Sequence, residues 1–395
     1  MIYDVMIIGG GASGLACAAR LNRSSKNLKV CLVDAGDRLG KKLAATGNGQ
    51  GNISNLDMTA EHYHGGNTAL VEKIACADPY GGAQLFGCLF FADERGRIYP
   101  AGKQASALVD DLINSVYTPP TSIFTGVKVE KIYKTVNGFE VSLNGDKVIA
   151  EYAVLCVGGK AQKQFKTDGS GYALATSFGH TVTKLYPSLV QLKTETTHIK
   201  TLKGIRADCK VSAFCGNKLL KTVRGDVIFT DYGVSGNAVF SVSSYIADKQ
   251  GATLSLEFLP DFAAEEIARS VSARKSVGWE KSELLSGTLH NQIGRAIIKR
   301  AGSDAPSVIT ATLKNFTLPV LGTLGFDYAQ VTKGGISMNE VSDELESKLV
   351  KNLFFAGEIL DVDGDCGGYN LQWAFTSGAS VADAILKRIR DDTKA

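Results

Sequence analysis

The sequence predicts an α/β protein in which a Rossmann-like nucleotide-binding domain is split by an insertion. Three observations support this prediction. A glycine-rich turn, Gly9-x-Gly11-x-x-Gly14, joins a short apolar run to a predicted helix. An acidic residue, Asp34, closes the next apolar run. The pattern then changes to short strands and turns near residue 190 and returns near 340, which indicates one domain made of two chain segments.

The glycine-rich turn follows a predicted buried strand at 5–8 and precedes a predicted helix at 15–21. Gly9 permits the tight turn, Gly11 lets a pyrophosphate approach the backbone, and Gly14 lets helix and strand pack closely. Phosphates would bind the free N–H groups at the helix N-terminus, where the helix dipole favours anions.

A second predicted strand at 30–33 ends at Asp34, about twenty residues past the last glycine. An acid at this place binds the ribose hydroxyls of an adenine dinucleotide. The alternative is a structural glycine turn with an acidic surface residue, but the strand–turn–helix context favours nucleotide binding.

The rest of the first domain combines a long loop, two helices and a meander. The loop at 40–55 is rich in Gly and Asn, and a loop of this length inside a compact domain is usually functional. Helices are predicted at 68–91 and 105–116. Polar and apolar residues alternate in three runs, which predicts a three-stranded meander at 127–133, 138–143 and 147–152. A fully buried strand is predicted to follow it at 153–157.

The insertion begins with short strands, continues with helices and ends with strands. Asp261 is a plausible N-cap of the helical part. Apolar residues at helical spacing are interpreted as core: Trp279, Leu284, Leu285, Leu289, Ile293 and Ile297. The predicted strands lie at 210–214, 226–230, 253–258 and from 317, and a last strand at 353–356 precedes a closing helix at 371–390. The predicted domains are 1–190 with 340–395, 191–258 with 317–339, and 259–316.

Composition and charge are those of a globular protein: 395 residues, 44% hydrophobic, 21% charged, net charge +3. The near-neutral balance argues against nucleic acid as the main target. The eight cysteines form no CxxC pair, zinc spacing or disulfide framework. We expect the five histidines to form no cluster and to lie at the surface or in loops: His62, His64, His180, His198 and His290. No apolar run is long enough to cross a bilayer, so we expect a cytoplasmic protein.

The C-terminal segment carries the second informative motif. Gly357 and Glu358 follow a predicted buried strand, at the sheet edge where α/β proteins bind ligands. Gly367-Gly368 opens the last helix, whose N–H groups would face the pyrimidine edge of a flavin ring and stabilise its anionic reduced form. The alternatives are a solvated acidic loop with an ordinary helix cap, or a calcium site. Because the loop lacks the closing Glu of an EF-hand, we predict no metal.

In combination, these motifs resemble the HI0933-like flavoproteins, also called the BaiN/RdsA family of FAD-dependent oxidoreductases. The resemblance spans nearly the whole chain. The matching stretches are Ile7–Gly14, Gly40–Leu43 with Thr46–Gly49, Val157–Gly159, Phe229–Gly236, Lys333–Ile336, and Ala356–Glu358 through Gly367–Gln372.

The resemblance implies a glutathione-reductase-like FAD-binding domain with a β-meander, interrupted by a β-barrel-like domain that carries a helical insertion. It implies FAD phosphates at the first turn, adenine against the backbone at Val129, and the isoalloxazine ring near Gly47–Gly49 and the start of the last helix. The predicted cofactor-binding residues are Gly9, Gly11, Ala12, Ser13, Gly14, Asp34, Ala35, Lys42, Thr46, Gly47, Asn48, Gly49, Val129, Gly158, Gly357, Glu358, Gly368, Asn370 and Leu371.

The predicted reaction is reduction of an activated C=C bond in a small molecule. The sequence contains no second GxGxxG, so NADH or NADPH would visit the flavin as a transient donor. Candidates for the proton donor or substrate polariser are Arg97, Asp231, Tyr232, Cys366 and Tyr369. A helix N-terminus beside Cys366 would lower the pKa of its thiol.

The sequence departs from the family pattern at three positions. Gln50-Gly51 stands where the family usually has Arg-Cys, and Asn237 stands where it often has Pro. A cationic side chain and a thiol beside the flavin are therefore missing from this loop, which leaves the proton donor open.

Three other functions stay open: an amine or amino-acid oxidase that uses oxygen, a flavin-dependent reductase of uridine in ribosomal RNA, and a structural protein with a vestigial nucleotide site. The oligomeric state is also open.

Overall fold

A computed structural model describes residues 1–25, 27–117 and 121–394 of the chain. These residues form two compact units, which are described separately below. The first consists of Met1–Tyr186 and Val331–Ala395, and the second of Pro187–Gln330. The sequence predicted three domains, one of them the helical part at 259–316. The residue boundaries of these three domains stay a prediction.

The described strands, in chain order, are β1 Ile2–Ile8, β2 Val30–Asp34, β3 Ser54–Asn55, β4 Tyr63–Gly65, β5 Phe90–Ala92, β6 Arg97–Pro100, β7 Ser122–Thr125, β8 Tyr133–Thr135, β9 Gly138–Leu143, β10 Asp146–Leu155, β11 Tyr186–Ser188, β12 Leu192–Thr194, β13 Arg206–Cys215, β14 Lys218–Phe229, β15 Gly233–Ser235, β16 Ala252–Phe258, β17 Phe316–Thr323, β18 Val331–Lys333, β19 Leu353–Phe355 and β20 Val362–Gly364.

The described α-helices are α1 Ala12–Ser24, α2 Lys41–Ala44, α3 Thr68–Ala75, α4 Ala105–Val116, α5 Tyr172–Thr176, α6 Asn237–Ile246, α7 Ala264–Ser276, α8 Asn291–Ala301, α9 Pro306–Lys314 and α10 Tyr369–Lys394. None of them is both long enough and apolar enough to cross a bilayer.

A seven-stranded sheet forms the centre of the first unit, in the order β7-β2-β1-β10-β9-β8 with β19 also paired to β10. Strands β7, β2, β1, β10 and β19 run parallel. Ile7 lies between Leu32 and Val154 and is fully buried, as are both partners. Parallel strands buried on both faces read as continuous apolar runs, which is why the sequence revealed them.

The predicted β-meander is present, but its strands differ from the expected ones. Residues 127–132 form no strand, and the first meander strand is β8, because the preceding segment bonds elsewhere: Gly126 N donates to Gly36 O (2.7 Å) and Val127 N to Asp34 O (3.0 Å). The predicted strands at 147–152 and 153–157 are one strand, β10, which leaves the meander and enters the parallel sheet.

The predicted helix at 68–91 is also wrong beyond its first part. Helix α3 ends at Ala75, and the chain then turns at Asp78, whose side chain accepts a hydrogen bond from Tyr80 N (2.8 Å). Strand β5 follows, and pairs with β6. Pro79 and the glycines after it cannot continue the helix, because proline and glycine interrupt it.

The second unit is a closed barrel in the strand order β12-β15-β14-β13-β16-β17. Its longest hairpin joins β13 and β14, which pair antiparallel along most of their length. Phe229, Phe258 and Phe316 are almost fully buried in its core. Three helices, α7 to α9, form the helical part between β16 and β17. The β-barrel with a helical insertion is therefore confirmed.

Two predictions for the helical part are wrong. Asp261 does not cap a helix: α7 begins after Ala263, whose N–H donates to the Glu266 carboxylate (2.8 Å), while Asp261 pairs with Arg224 (2.6 Å). Trp279 is not core, since 45% of it is exposed and the Arg274 guanidinium lies 5.0 Å from its ring.

Removing a buried aromatic ring tests the barrel core. Phe229→Ala deletes a side chain with no exposed surface, and we expect it to lower the free energy of unfolding by about 3–5 kcal/mol. Phe262→Ala is the matched control, because 53% of Phe262 is exposed, and its effect should stay within about 0.5 kcal/mol. Urea unfolding followed by circular dichroism measures both, and equal losses would contradict the assigned core.

Candidate functional site

The turn between β1 and α1 is fixed by close backbone contacts. A Cβ atom on Gly14 would overlap Gly9 O, and one on Gly9 would overlap Cys156 O, so neither position accepts a side chain. A Cβ on Gly11, in contrast, would meet nothing within 4 Å. Helix α1 starts at this point without a side-chain cap, so its first N–H groups remain available to an anion.

The carboxylate of Asp34 is held at the end of β2. Gly10 N donates to its Oδ2 and Gly36 N to its Oδ1, both at 2.6 Å. Burial raises the pKa of Asp34, although these two hydrogen bonds and the charge of Lys41 act in the opposite direction. Each carboxylate oxygen can accept a further hydrogen bond, as ribose hydroxyls would offer.

A third group of polar atoms lies after β19. Glu358 accepts from Lys42 Nζ (2.9 Å) through Oε2 and from Thr332 N (2.8 Å) through Oε1. Tyr172, only 6% exposed, has a hydroxyl group with no hydrogen-bond partner among the described residues, and the charge of Glu358 acts on it. A buried hydroxyl without a partner is costly, so this place is suited to a polar ligand group.

The Gly-rich loop has an unusual backbone. Gly47, Asn48 and Gly49 all have positive φ angles, of 57°, 53° and 84°. The buried Oδ1 atom of Asn52 beside this segment has no partner among the described residues. Three left-handed residues in succession expose backbone groups that a ligand can use.

All the predicted cofactor-binding residues belong to the first unit. Ala12 and Ser13 start α1, and Ala35 lies in the turn after β2. Gly158 follows β10, and Thr46 lies in a short 3₁₀ turn with the left-handed residues. Val129 is buried outside any strand, and Leu371 lies in the first turn of α10.

Asn370 is already used within its own loop. Its side-chain amide accepts from Gly364 N (2.8 Å) and donates to Gly364 O (2.7 Å), which closes the loop between β20 and α10. Gly368 lies against the Ser54 backbone so closely that a Cβ would overlap Ser54 O. Any cofactor contact here must therefore come mainly from backbone groups.

Three of the candidate catalytic residues come together at this loop. Asn55 Nδ2 donates to Gly367 O (3.2 Å), and Asn55 pairs with Arg97 between β3 and β6. Arg97 and Cys366 are close enough for their charges to interact. The Arg97 guanidinium is oriented by two hydrogen bonds to Asp93, of 2.9 and 2.6 Å.

Tyr369 is 4% exposed, and its hydroxyl donates to Asp57 O (3.1 Å). Burial raises the pKa of its phenol, so the group keeps its proton at neutral pH. Cys366 is partly exposed, which leaves it the more accessible of these two candidates for the proton donor.

Asp231 does not fit the role of proton donor. It lies in the barrel unit, is exposed, and pairs with Lys203 (2.8 Å). This ion pair lowers the pKa of its carboxyl, so the group is ionised at neutral pH and has no proton to give. Tyr232, next to it, belongs to the same unit.

The prediction about the histidines is wrong in two respects. His62 and His64 both lie within 3.1 Å of the Asp365 carboxylate and form a cluster with it. His180 is 3% exposed and lies between Glu340 (3.0 Å) and Ser347 (2.7 Å). The spacing of two residues between His62 and His64 was the available signal, because alternate residues of an extended chain point to the same side. No group of three or more potential ligands suited to a metal ion occurs among the described residues.

The observed site fits a dinucleotide: an uncapped helix N-terminus with open space at Gly11, a carboxylate for ribose, and the unpartnered Tyr172 hydroxyl. Together with the fold, these features define a dinucleotide-binding protein of the Rossmann type.

The family model of the HI0933-like protein Rossmann domain matches residues 3–384, and the chain belongs to this family. It is an FAD-dependent oxidoreductase. A 3-dehydro-bile acid delta(4,6)-reductase from Clostridium scindens is 34% identical, with 97% of this chain and 98% of the relative covered. A ribosomal RNA dihydrouridine synthase from Escherichia coli is 27% identical over the same shares.

Solved structures of low sequence identity share the fold. The 3-ketosteroid delta1-dehydrogenase from Sterolibacterium denitrificans matches with a TM-score of 0.52 at 12% identity, covering 98% of this chain and 100% of that chain. A mutant of E. coli quinol fumarate reductase matches with a TM-score of 0.50 at 13% identity, covering 99% of this chain and 71% of that one.

Two glycine variants test the pyrophosphate site. Gly11→Ala adds a methyl group in open space at an ordinary φ of −82°, so the protein should fold normally. The methyl group would occupy the space that the pyrophosphate needs, and we expect FAD affinity to fall by roughly tenfold or more, since overpacking costs about 1–3 kcal/mol. Gly102→Ala also meets open space and should bind FAD normally. Flavin titration of the apoproteins measures both, and equal affinities would refute the assignment.

Proposed function

We propose that the enzyme reduces an activated carbon–carbon double bond of a small molecule, with NADH or NADPH as transient electron donor. The observation that carries the proposal is a partly exposed thiol, Cys366, in the loop that precedes α10 and within electrostatic range of Arg97. Reduction of a C=C bond needs a hydride on one carbon and a proton on the other, and the thiol supplies a proton donor.

The residues that would hold FAD are those of the first turn, Asp34, the segment at Val129, Glu358 with Lys42, the left-handed loop, and the start of α10. Bound there, FAD supplies two-electron hydride chemistry between the nicotinamide and the substrate. The chain's own residues would bind the cofactor, orient the substrate and supply its proton.

Cys366 is a better donor than Tyr369 because the Tyr369 hydroxyl is buried and already donates to Asp57 O. In the proposed step the S–H bond breaks, the proton forms a bond to the carbon that does not receive hydride, and the electron pair stays on sulfur. The nearby Arg97 guanidinium stabilises the resulting thiolate.

Position 51 supports this assignment. Gly51 has a φ angle of 73°, and a Cβ there would lie 2.9 Å from Leu108 Cδ1 and 3.1 Å from Ala105 Cα. A thiol at the position where the family usually carries one would be strained in this chain. We therefore assign the role of proton donor to Cys366 and not to a residue of the Gly-rich loop.

The substrate class rests on the similarity to a bile acid reductase at 34% identity. Uridine in ribosomal RNA is the second candidate, because a relative at 27% identity is named for dihydrouridine synthesis and the C5=C6 bond of uridine is also conjugated. The eight cysteines form no disulfide framework in the sequence, which favours a reducing compartment, and we expect the enzyme to work in the cytoplasm.

Anaerobic mixing tests the electron donor. We expect NADH or NADPH to bleach the flavin, because the chain has one dinucleotide motif and the nicotinamide must meet the flavin directly. An unsaturated ketone or acid, or a uridine-containing RNA fragment, should then restore the colour without oxygen. Bleaching by amines alone would contradict the proposal and support an oxidase.

Removing the thiol tests the proton donor. Cys366→Ala should leave bleaching by the nicotinamide unchanged but slow substrate reduction by about 10²–10⁴-fold, which is the usual contribution of a general acid. Cys88→Ala is the control, because Cys88 is an exposed thiol outside the loop that carries Cys366. Unchanged substrate reduction in Cys366→Ala would refute this role.

A further inference from the structure

A cluster of charged side chains contacts the loop that carries Cys366. The reaction proposed above assigns no role to this cluster. His62 lies between two carboxylates: its Nδ1 is 3.1 Å from Asp365 Oδ2 and its Nε2 is 3.0 Å from Asp57 Oδ2. His64 Nε2 lies 3.1 Å from the other oxygen of Asp365.

Strand pairing builds this cluster. Strands β4 and β20 pair antiparallel, with Tyr63 opposite Gly364, so His62 and Asp365 form the next pair beyond the strand ends. Asp365 N donates to His62 O (2.8 Å), which continues the ladder. The carboxylate of Asp365 is 8% exposed, so the ion pair with His62 is largely shielded from water.

The ring of His62 also contacts the other end of the loop. It stacks on Tyr369 with ring centroids 4.3 Å apart and an angle of 19° between the planes. A cationic imidazolium is attracted to the face of a phenol. His62 therefore contacts Asp365 and Tyr369, which flank Cys366 along the chain.

Protonation decides how firmly His62 holds this loop. Both of its ring nitrogens face carboxylates, and an imidazole donates from both nitrogens only when it is protonated. The hydrogen bond to Asp365, with a smaller contribution from Asp57, raises the pKa of His62, although burial acts against it. The groups that face the ring are Asp57, Asp365 and Tyr369, with His64 acting through Asp365.

We propose that His62 is a positioning residue, which as an imidazolium clamps the loop from Asp365 to Tyr369 and so places the Cys366 thiol for proton delivery. The role of Cys366 in proton delivery rests on the proposed function, whereas the contacts of His62 with the loop do not depend on it. Because the His62 pKa is raised, the clamp is complete at low pH and is lost as the pH rises through the folded-state pKa. In the neutral imidazole, one of the two His62 ring nitrogens carries no hydrogen and cannot donate a hydrogen bond to the carboxylate that it faces.

Alkylation of Cys366 in the FAD-loaded enzyme tests the clamp without measuring activity. The probe is iodoacetamide, with the modified peptide quantified by mass spectrometry across pH. His62→Gln keeps one donor but removes the charge. We expect Cys366 to react about tenfold faster in His62→Gln than in the natural enzyme at acidic pH, with the two rates converging above the His62 pKa. A misplacement of about 1 Å can cost a hundredfold in rate, so loosening should be measurable.

The exposed Cys88 thiol is an internal control, and its rate should be the same in both proteins. His290→Gln is the matched variant, because His290 is an exposed histidine in the barrel unit and its removal should leave Cys366 unchanged. If His62→Gln fails to fold, Asp57→Asn removes one of the two carboxylates at an exposed position and should act in the same direction.

A Cys366 rate that is equal in the two proteins, or a rate ratio that does not change with pH, would overturn the inference. The second readout is a split of kinetic constants, with kcat for substrate reduction lower by about ten- to a hundredfold in His62→Gln and KM little changed. If no nicotinamide bleaches the flavin, the proposed function fails, whereas the alkylation result still decides whether His62 clamps the loop.

Discussion

The contact between the first turn of α1 and the C-terminal segment is the constraint on which the rest of this site depends. Ser13 lies against two glycines from the far end of the chain: a Cβ on Gly378 would overlap Ser13 O, and one on Gly357 would lie 2.5 Å from Ser13 Oγ. Gly357 is further fixed by Ser377 and Trp373 of α10. Because the last helix packs this closely on the first, the phosphate-binding turn and the Cys366 loop are held in one unit.

The sequence predicted the fold well where one signal dominates. The strand–turn–helix at the N-terminus, the parallel strands and the barrel were recognised because buried strands read as apolar runs and hairpins alternate. The errors fell where tertiary contacts override local pattern. Residues 127–132 alternate like a strand, but Val127 N donates to Asp34 O and the segment joins no sheet. Trp279 has helical spacing but lies exposed after the end of α7.

The candidate site was predicted less completely than the fold. Cys366, Tyr369 and Arg97 were selected from type and position, and the structure brings them to one loop. The partners of that loop were missed, because His62 and Asp365 are separated by about three hundred positions and meet only through the pairing of β4 with β20. Nothing in a single sequence reports such a pairing between short strands. The same reason hid the buried hydroxyl of Tyr172 beside Glu358.

The charged groups of the site are of two kinds, which differ in their hydrogen-bond partners. Asp34 and Glu358 are fixed acceptors, each held by donors from neighbouring segments, and they suit neutral hydroxyl groups of a ligand. The Cys366 loop and its surroundings instead combine groups that can hold charge or titrate: a thiol, a guanidinium and an imidazole between two carboxylates. Such a division is expected of an enzyme whose cofactor moves electrons while the protein moves the proton.

The most direct test of the account is the visible absorption spectrum of the freshly purified protein, followed by flavin titration of the stripped form. We expect a yellow protein with the absorption bands of an oxidised flavin and one FAD bound per chain. A correctly folded protein that is colourless and takes up no FAD would contradict it.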